Sequence, residues 1–151
     1  MSFGFCDICR IAQTSGNIAV IDLLCAEGLK GSENLNLQDT LNTLNQWTAY
    51  VKYEIDRNFH RFKEHPEESH NSLGEYRMGM LITVVQKDLN VRYNPERATP
   101  QLRHEWEEND VFFADSKDVF IHGLLSTNHT GTCSSMPVLY AAIHLVKLII
   151  W

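Results

Sequence analysis

The stretch HTGTCSSMPVLYAAIHLVKLIIW, residues 129–151, decides the fold, because it places a cysteine between a Gly-Thr turn and a long apolar run. Pro137 falls in the first turn of the expected helix, where its missing N–H is tolerated. Beyond Pro137 the helix is apolar in almost every direction, and such a helix must be covered on most sides. The sequence therefore predicts a central helix that begins near Cys133.

One narrow stripe of this helix is less apolar than the rest. Its members are spaced by three and four residues and so share a face: Cys133, Pro137, Tyr140, His144, Lys147 and Trp151. The thiol thus lies at the N-terminal end of the least apolar side. The unpaired N–H groups and partial positive charge there favour the reactive thiolate and can stabilise an oxyanion.

Cys133 is accordingly the candidate nucleophile of this chain. The turn residues Gly131, Thr132 and Ser134 are candidates for an oxyanion-binding turn. Gly131 is expected to let a substrate backbone approach closely, because it has no Cβ. The alternative is a buried and inert cysteine, which is what a lone cysteine more often is.

Two histidines are candidates for the base that would activate Cys133. His129 precedes the cysteine by four residues in a loop and can fold back, and His122 lies in the segment before it. Each is more often a surface or core histidine than a base. His144 lies eleven residues after Cys133, which is about 16 Å along the helix axis, so the two side chains cannot touch.

Two aspartates precede these histidines in FADSKD. Asp115 and Asp118 are placed to orient a histidine. Aspartates in such a segment are more often helix caps, so the cap remains the favoured interpretation.

The composition is that of an ordinary globular protein, with 151 residues, 44% hydrophobic and 21% charged, which suits a single domain with a sizeable core. The net charge is −6 and the chain has no basic block, so we expect neither a nucleic-acid partner nor an anionic membrane surface. The last apolar run is too short and too interrupted to span a membrane. The N-terminus lacks a positive segment followed by an apolar one, so we expect no signal peptide and a cytoplasmic location.

Four cysteines occur, and Cys6 and Cys9 form one CxxC motif. One such motif supplies two ligands, whereas structural zinc takes four. We expect free thiols in a reducing compartment, with no metal and no cofactor. A zinc set completed by Cys25 and a histidine is the alternative. The histidines and glutamates between residues 60 and 70 are expected to be solvated.

Apolar residues spaced by three and four predict further helices. Gly28 is expected to end the first of them, Asn36 to cap the second, and Ser72 to open the third through a capping box with Glu75. Ser116 is a candidate cap for the last of the set. The predicted helices cover about residues 17–27, 37–60, 72–90, 101–110 and 116–125. The charged segment FHRFKEHPEESHN and the segment VRYNPERATP are predicted to be connections.

Several segments together resemble a bacterial family of the transglutaminase-like superfamily. They are, in order, LLCAEGLKGSENL, LNTLNQW, NSLGEYRMGMLITVVQKDLNVRYNP, FADSKDVFIHGLL and GTCSSMPVLYAAI, which together cover roughly residues 20–143. The series FADS, HGLL, GTCSS and PVLY is fairly specific as a set. Residues 1–15 carry no resemblance and are expected to form a loose N-terminal segment, with residues 16–151 as the helical part of the domain.

The resemblance implies an α+β, cysteine-proteinase-like fold with a Cys-His-Asp triad. In that fold the cysteine begins a helix that packs on an antiparallel sheet, and Cys133 matches its position. The implied histidine and aspartate belong to strands downstream of the helix. The family pattern ends after AAI, where HLVKLIIW replaces the expected basic Gly-Tyr-Pro turn. We therefore expect a truncated or frame-shifted chain, mainly α, which is the multi-helical front part of the fold without its sheet.

Three functions follow from these expectations. The first is acyl transfer or amide hydrolysis on a protein or peptide substrate, with little or no activity because the triad is incomplete. The second is a non-catalytic helical binding module whose uncovered last helix meets a partner or a second copy of the chain. The third is a CxxC metal module.

Overall fold

A computed structural model describes residues 16–97 and 114–148 of the chain. The predicted loose segment 1–15, the predicted helix at 101–110 and Trp151 lie outside the described residues. Within the described ranges the chain is mainly helical, as predicted. The helices are α1 (Ile18–Ala26), α2 (Leu37–Arg57), α3 (Phe59–Glu64), α4 (Leu73–Thr83), α5 (Ser116–Val119), α6 (Ile121–Leu124) and α7 (Ser135–Leu148).

Asparagine side chains begin the first two helices. The Asn17 side chain accepts the backbone N–H of Ala19 at 3.0 Å at the start of α1. The Asn36 side chain accepts that of Asp39 at 3.2 Å at the start of α2, as the sequence predicted. These bonds satisfy amides that have no partner within the helix.

The end of α2 and the segment after it differ from the prediction. The helix ends at Arg57, because the Asn58 side chain donates to the Glu54 carbonyl at 2.8 Å and turns the chain. The next residues form α3, not a connection. The rings of Phe59 and Phe62 pack on Tyr76 of α4, with the Phe62 and Tyr76 centroids 5.3 Å apart. This aromatic cluster stabilises α3, which the sequence did not predict because charged residues surround the two phenylalanines.

Only one of the two hydrogen bonds of the predicted capping box forms at the start of α4. The Ser72 hydroxyl accepts the N–H of Glu75 at 3.2 Å. The Glu75 carboxylate does not return to Ser72 and instead meets His70 Nδ1 at 2.7 Å. After Thr83 the helix widens into a π-helical turn, Val84–Asp88, which buries Val84 and Val85. Asn90, in the left-handed conformation at φ +53°, ends the segment near the predicted residue.

The last helix is central, as the sequence predicted. It packs against α1, α2 and α6. The core is made by buried side chains from all four helices, among them Leu23, Leu44, Leu124, Leu139 and Ile143. The polar stripe faces outward, with Cys133, Pro137 and His144 exposed and Tyr140 half-buried. In the described part of the chain no helix is both long enough and apolar enough to cross a membrane.

A small parallel sheet joins two distant segments. Strand β1 (Arg92–Tyr93) pairs with β2 (Thr130–Gly131), with Arg92 opposite Thr130 and Tyr93 opposite Gly131. The Asn94 N–H continues the pairing with a hydrogen bond to the Gly131 carbonyl at 2.8 Å. The sequence predicted a loop at VRYNP, because a strand of two residues is too short to show alternation. This pairing brings the segment after α4 to the residues just before α7.

A partly buried carboxylate links the first helix to α6. Asp22 of α1 accepts the backbone N–H of Ile121 at 2.9 Å. Burial raises the pKa of Asp22 from its ordinary value of 3.8 to about 6, although the hydrogen bond from Ile121 acts in the opposite direction. The folded chain therefore binds this proton more tightly than the unfolded chain.

This shift predicts a pH dependence of stability. The contribution of protonated Asp22 is present below about pH 4 and is lost as the pH rises through about 6. We expect the free energy of unfolding to fall by on the order of 1–2 kcal/mol across that range, because solvent screening reduces the effect at a partly exposed group. Urea unfolding at several pH values measures it. Asp22→Asn should remove this component, and a variant profile that superimposes on the wild-type profile would contradict it.

Candidate functional site

Cys133 lies in the turn that opens α7, and reciprocal hydrogen bonds fix that turn. The Thr132 hydroxyl accepts the N–H of Ser134 at 3.2 Å, and the Ser135 hydroxyl accepts the N–H of Thr132 at 3.0 Å. The Thr132 carbonyl accepts the Met136 N–H at 3.1 Å, which is the first bond of the helix. Thr132 is therefore the N-cap, and Cys133 directly follows it with an exposed, free thiol.

This capping arrangement decides which turn residues can stabilise an oxyanion. The amides of Thr132 and Ser134 are already bonded to side chains of the cap. The amide of Cys133 lies between them and is not used by the cap side chains. Of the three amides at the start of the turn, that of Cys133 is therefore the one left open by the cap.

The prediction that Gly131 leaves room for a substrate backbone was wrong. Gly131 is buried, and a Cβ at this position would lie 2.5 Å from Leu124 Cδ2 and 2.8 Å from Ser135 Oγ. The space beside Gly131 is therefore filled by the chain's own side chains and offers no room to a substrate. The glycine permits α6 to pack against the start of α7.

Asp118 anchors the N-cap residue Thr132. Its backbone carbonyl accepts the Thr132 hydroxyl at 2.6 Å. Its carboxylate pairs with Arg97 through Nη2 at 2.9 Å and Nε at 3.2 Å. The Arg97 and Asp118 side chains are only 18% and 13% exposed. Asp118 thus connects the segment after β1 with the start of α7, and it does not orient a histidine.

Asp115, not Ser116, caps the short helix α5. The Asp115 side chain accepts the N–H of Lys117 at 2.8 Å. The predicted single helix over 116–125 is divided into α5 and α6 by Phe120, which has an extended backbone. Ser116 serves another purpose, because its N–H donates to the Lys30 carbonyl at 2.9 Å and its hydroxyl lies 3.2 Å from His122 Nε2.

Tyr93 is the neighbour of Cys133 that sequence reasoning missed. The pairing of Tyr93 with Gly131 brings this residue, 38% exposed, to the segment two residues before Cys133. Burial is the main cause that raises the pKa of Tyr93, and negative charge on Cys133 raises it further. The phenol therefore stays protonated at neutral pH and can donate.

The two predicted base candidates are engaged elsewhere. The His129 ring packs edge-on against Trp47 of α2, with the centroids 5.1 Å apart. His122 is buried, and burial lowers its pKa, so it stays neutral. Among the described residues, no imidazole contacts the Cys133 thiol. His104 lies outside the described residues.

The other candidate groups show no site within the described part of the chain. His60, His65 and His70 are exposed, as predicted. No group of three or more histidine, cysteine, aspartate or glutamate side chains there is placed to hold a metal ion. Cys25 is exposed, while Cys6 and Cys9 lie outside the described residues.

The predicted apolar face of the last helix is small where its side chains are described. Leu139, Ala142 and Ile143 are buried by the neighbouring helices. Leu145, at 41% exposed, is the large hydrophobic residue that this part of α7 leaves open. Self-association through this helix remains a prediction.

No family model, characterised protein or solved structure matches this chain. The transglutaminase-like resemblance therefore rests on the sequence segments that carry it. The site itself is defined by its geometry, which combines an exposed thiol and a helix-start amide.

The packing at Gly131 predicts a matched pair of substitutions. Gly131→Ala should lower the free energy of unfolding by about 1–3 kcal/mol, because Leu124 and Ser135 must shift. Gly79→Ala, in the exposed interior of α4 with no atom within 4 Å of the added Cβ, should raise it by about 0.5–1 kcal/mol. Urea unfolding of both variants measures the contrast, and equal effects of the two would rule out the packing role of Gly131.

The partly buried ion pair predicts a second loss of stability. Asp118→Ala should cost about 1.5–3 kcal/mol, because it removes two hydrogen bonds to a charged guanidinium that is mostly shielded from solvent. Lys52→Ala serves as the control, since it breaks an exposed pair with Asp56 at 2.8 Å and should cost less than about 1 kcal/mol. Chemical denaturation of the two variants compares them, and a cost below 1 kcal/mol for Asp118→Ala would show that the pair does not support the fold.

Proposed function

We propose that this chain is a transglutaminase-like thiol protein in which Cys133 accepts acyl groups. The observation that carries the proposal is the exposed thiol directly after the N-cap of α7, with its own amide unused by the cap. A helix N-terminus concentrates N–H groups and partial positive charge at the sulfur. These groups favour the thiolate and the negative charge of a tetrahedral intermediate.

The proposed reaction is acyl transfer to sulfur. The Cys133 thiolate attacks a carbonyl carbon and forms a C–S bond, while the carbonyl electrons move to oxygen. When the oxyanion collapses, the bond to the leaving group breaks and that group departs with the electron pair. The product is an acyl thioester on Cys133, and a later attack by water or an amine releases the acyl group.

Turnover of amides is proposed to be poor. An amine leaving group must be protonated, and general acid–base help is typically worth about 10²–10⁴-fold. Within the described ranges no histidine is in place to give that help, since His129 packs on Trp47 and His122 is buried against Ser116. The exposed free thiol of Cys133 suits a reducing compartment, which supports a cytoplasmic location.

A binding module that uses the last helix is the weaker alternative. It needs a substantial uncovered apolar surface. The described side chains of α7 leave one large hydrophobic residue exposed, Leu145. The arrangement around Cys133 is the more specific feature of the surface.

A comparison of two cysteines tests this proposal. Cys133 follows a helix N-cap, whereas Cys25 lies in the last turn of α1, where the helix carbonyls disfavour a thiolate. In a Cys6→Ser, Cys9→Ser background, we expect iodoacetamide to alkylate Cys133 about 3–10 times faster than Cys25 at pH 7, because the thiolate is the nucleophile. Peptide mapping by mass spectrometry measures both rates.

A second measurement follows the acyl group itself. With p-nitrophenyl acetate, the chain should release one equivalent of p-nitrophenol rapidly and then turn over slowly. Cys133→Ala should lose the burst, and Cys25→Ala should keep it. Equal alkylation of the two cysteines, or a burst that survives Cys133→Ala, would contradict the proposal.

A further inference from the structure

A buried histidine lies where α5, α6 and the turn after α1 meet. His122 is 8% exposed. Its Nε2 lies 3.2 Å from the Ser116 hydroxyl, and among the residues that the structure describes its Nδ1 is buried without a hydrogen-bond partner. A buried polar nitrogen is usually paired, and an unpaired one is costly. Whichever nitrogen carries the proton of the neutral ring, a protonated ring would present an Nδ1–H with no acceptor in that part of the chain.

The serine that contacts this ring fastens α5 to the turn after α1. The Ser116 N–H donates to the Lys30 carbonyl at 2.9 Å. The next residue of the turn, Gly31, has φ +95° and lies so close to Asp115 that a Cβ would collide with the carboxylate. The position of α5 therefore depends on a polar cluster to which His122 belongs. Histidine is the side chain that ordinarily changes its charge near neutral pH.

The surroundings of the ring favour its neutral form. Burial is the largest influence and lowers the pKa of His122 from its ordinary value of 6.5. The Gly31 backbone and the Asp115 carboxylate favour the charged ring, whereas Lys117 disfavours it. Because burial outweighs the two favourable groups, a charged ring would be poorly compensated in the interior. Exposure of the ring to water relieves that cost.

The charged groups of the other elements packed against α6 are directed elsewhere. Asp22 of α1 accepts the first backbone N–H of α6 at 2.9 Å, and Asp118 is paired with an arginine. The His129 ring, just before β2, packs on a tryptophan of α2, and His144 is exposed on the outer stripe of α7. Compensation of a charge on the buried ring therefore falls to Asp115, which is already the cap of α5.

The same pair of short helices supports the start of α7. The Asp118 carbonyl, in α5, accepts the Thr132 hydroxyl at 2.6 Å, and that hydroxyl accepts the Ser134 N–H. Gly123 of α6 lies against the Lys117 backbone with no room for a Cβ. The two helices are thus packed too closely to move independently. A displacement of either one shifts the carbonyl that holds the cap of α7.

We propose that His122 is a pH-sensitive latch, whose protonation releases α5 and α6 from the turn at Gly31 and thereby frees Thr132 from Asp118. The open form binds a proton that the closed form excludes, so acidification favours opening. The contribution of His122 to stability is fully present above its ordinary pKa of 6.5 and is lost as the pH falls through the lowered pKa of the folded chain. This sign is opposite to that of Asp22, whose contribution is lost as the pH rises.

The test follows local opening by hydrogen exchange and mass spectrometry in the full chain. Asp22→Asn is the background, since it removes the opposing titration and keeps an acceptor for the first N–H of α6. Between pH 7 and pH 5 we expect protection factors to fall by about tenfold at residues 116–125 and at the Thr132 and Ser134 amides, because an exposed histidine ionises at about 6.5. Those of α2 should change by less than about twofold, since the opening is local.

A matched pair of substitutions identifies the titrating group. His122→Gln retains a side-chain nitrogen that can reach Ser116 and does not titrate, so it should abolish the fall in protection. His70→Gln, at an exposed histidine, should leave the fall unchanged. A second measurement needs no substitution at the latch. In nuclear magnetic resonance spectra of the Asp22→Asn chain, the His122 ring should remain neutral at pH 5.5, where an ordinary exposed histidine is mostly protonated.

The outcomes separate a latch from other effects of acid. A fall in both segments that requires His122 supports the proposal. Unchanged protection at residues 116–125, a fall that survives His122→Gln, or a fall that spares Thr132 and Ser134 overturns it. An equal fall in α2 also overturns it, because the whole chain would then be unfolding. If His122→Gln does not fold, the spectra decide, since a ring that ionises like an exposed histidine excludes the latch and a neutral ring upholds it. These outcomes are independent of acyl transfer at Cys133.

Discussion

The hydrogen bond from the Thr132 hydroxyl to the Asp118 carbonyl is the contact on which the candidate site depends. At 2.6 Å it holds a fully buried threonine whose oxygen also accepts the Ser134 N–H. With the reciprocal bond from Thr132 to Ser135, it sets the residue at which α7 begins. Because the helix begins there, the next residue, Cys133, is presented at the open end of the helix and not along its buried side.

Asp118 also joins the cap to the segment after β1. Its carboxylate accepts two hydrogen bonds from Arg97, and both side chains are mostly shielded from solvent. A single ion pair therefore supports the residue that holds Thr132.

Within the residues described, no imidazole contacts the exposed Cys133 thiol. His122 is buried, with its Nε2 at 3.2 Å from the Ser116 hydroxyl, and the His129 ring packs edge-on against Trp47. Both histidines therefore serve packing and local hydrogen bonding.

The sequence by itself determined the mainly helical character, the position of Cys133 at the start of a central helix and the caps at Asn36 and Ser72. These features are local, because helix periodicity and capping depend on residues within about one turn of each other. The exposed stripe of Cys133, Pro137 and His144 followed from the same spacing.

Only the tertiary structure decided which segments surround Cys133. Tyr93 lies opposite Gly131 through strands of two residues, which are too short to show a pattern in the sequence. Gly131 is needed because Leu124 and Ser135 pack closely against it, and the sequence gives no sign of these contacts. The helix at Phe59–Glu64 forms because two phenylalanines pack on Tyr76, although the residues around them in the sequence are charged. In each case the contact joins residues that are far apart in the sequence. Helix propensity and residue spacing describe only near neighbours, so these contacts were decided by burial and by backbone pairing.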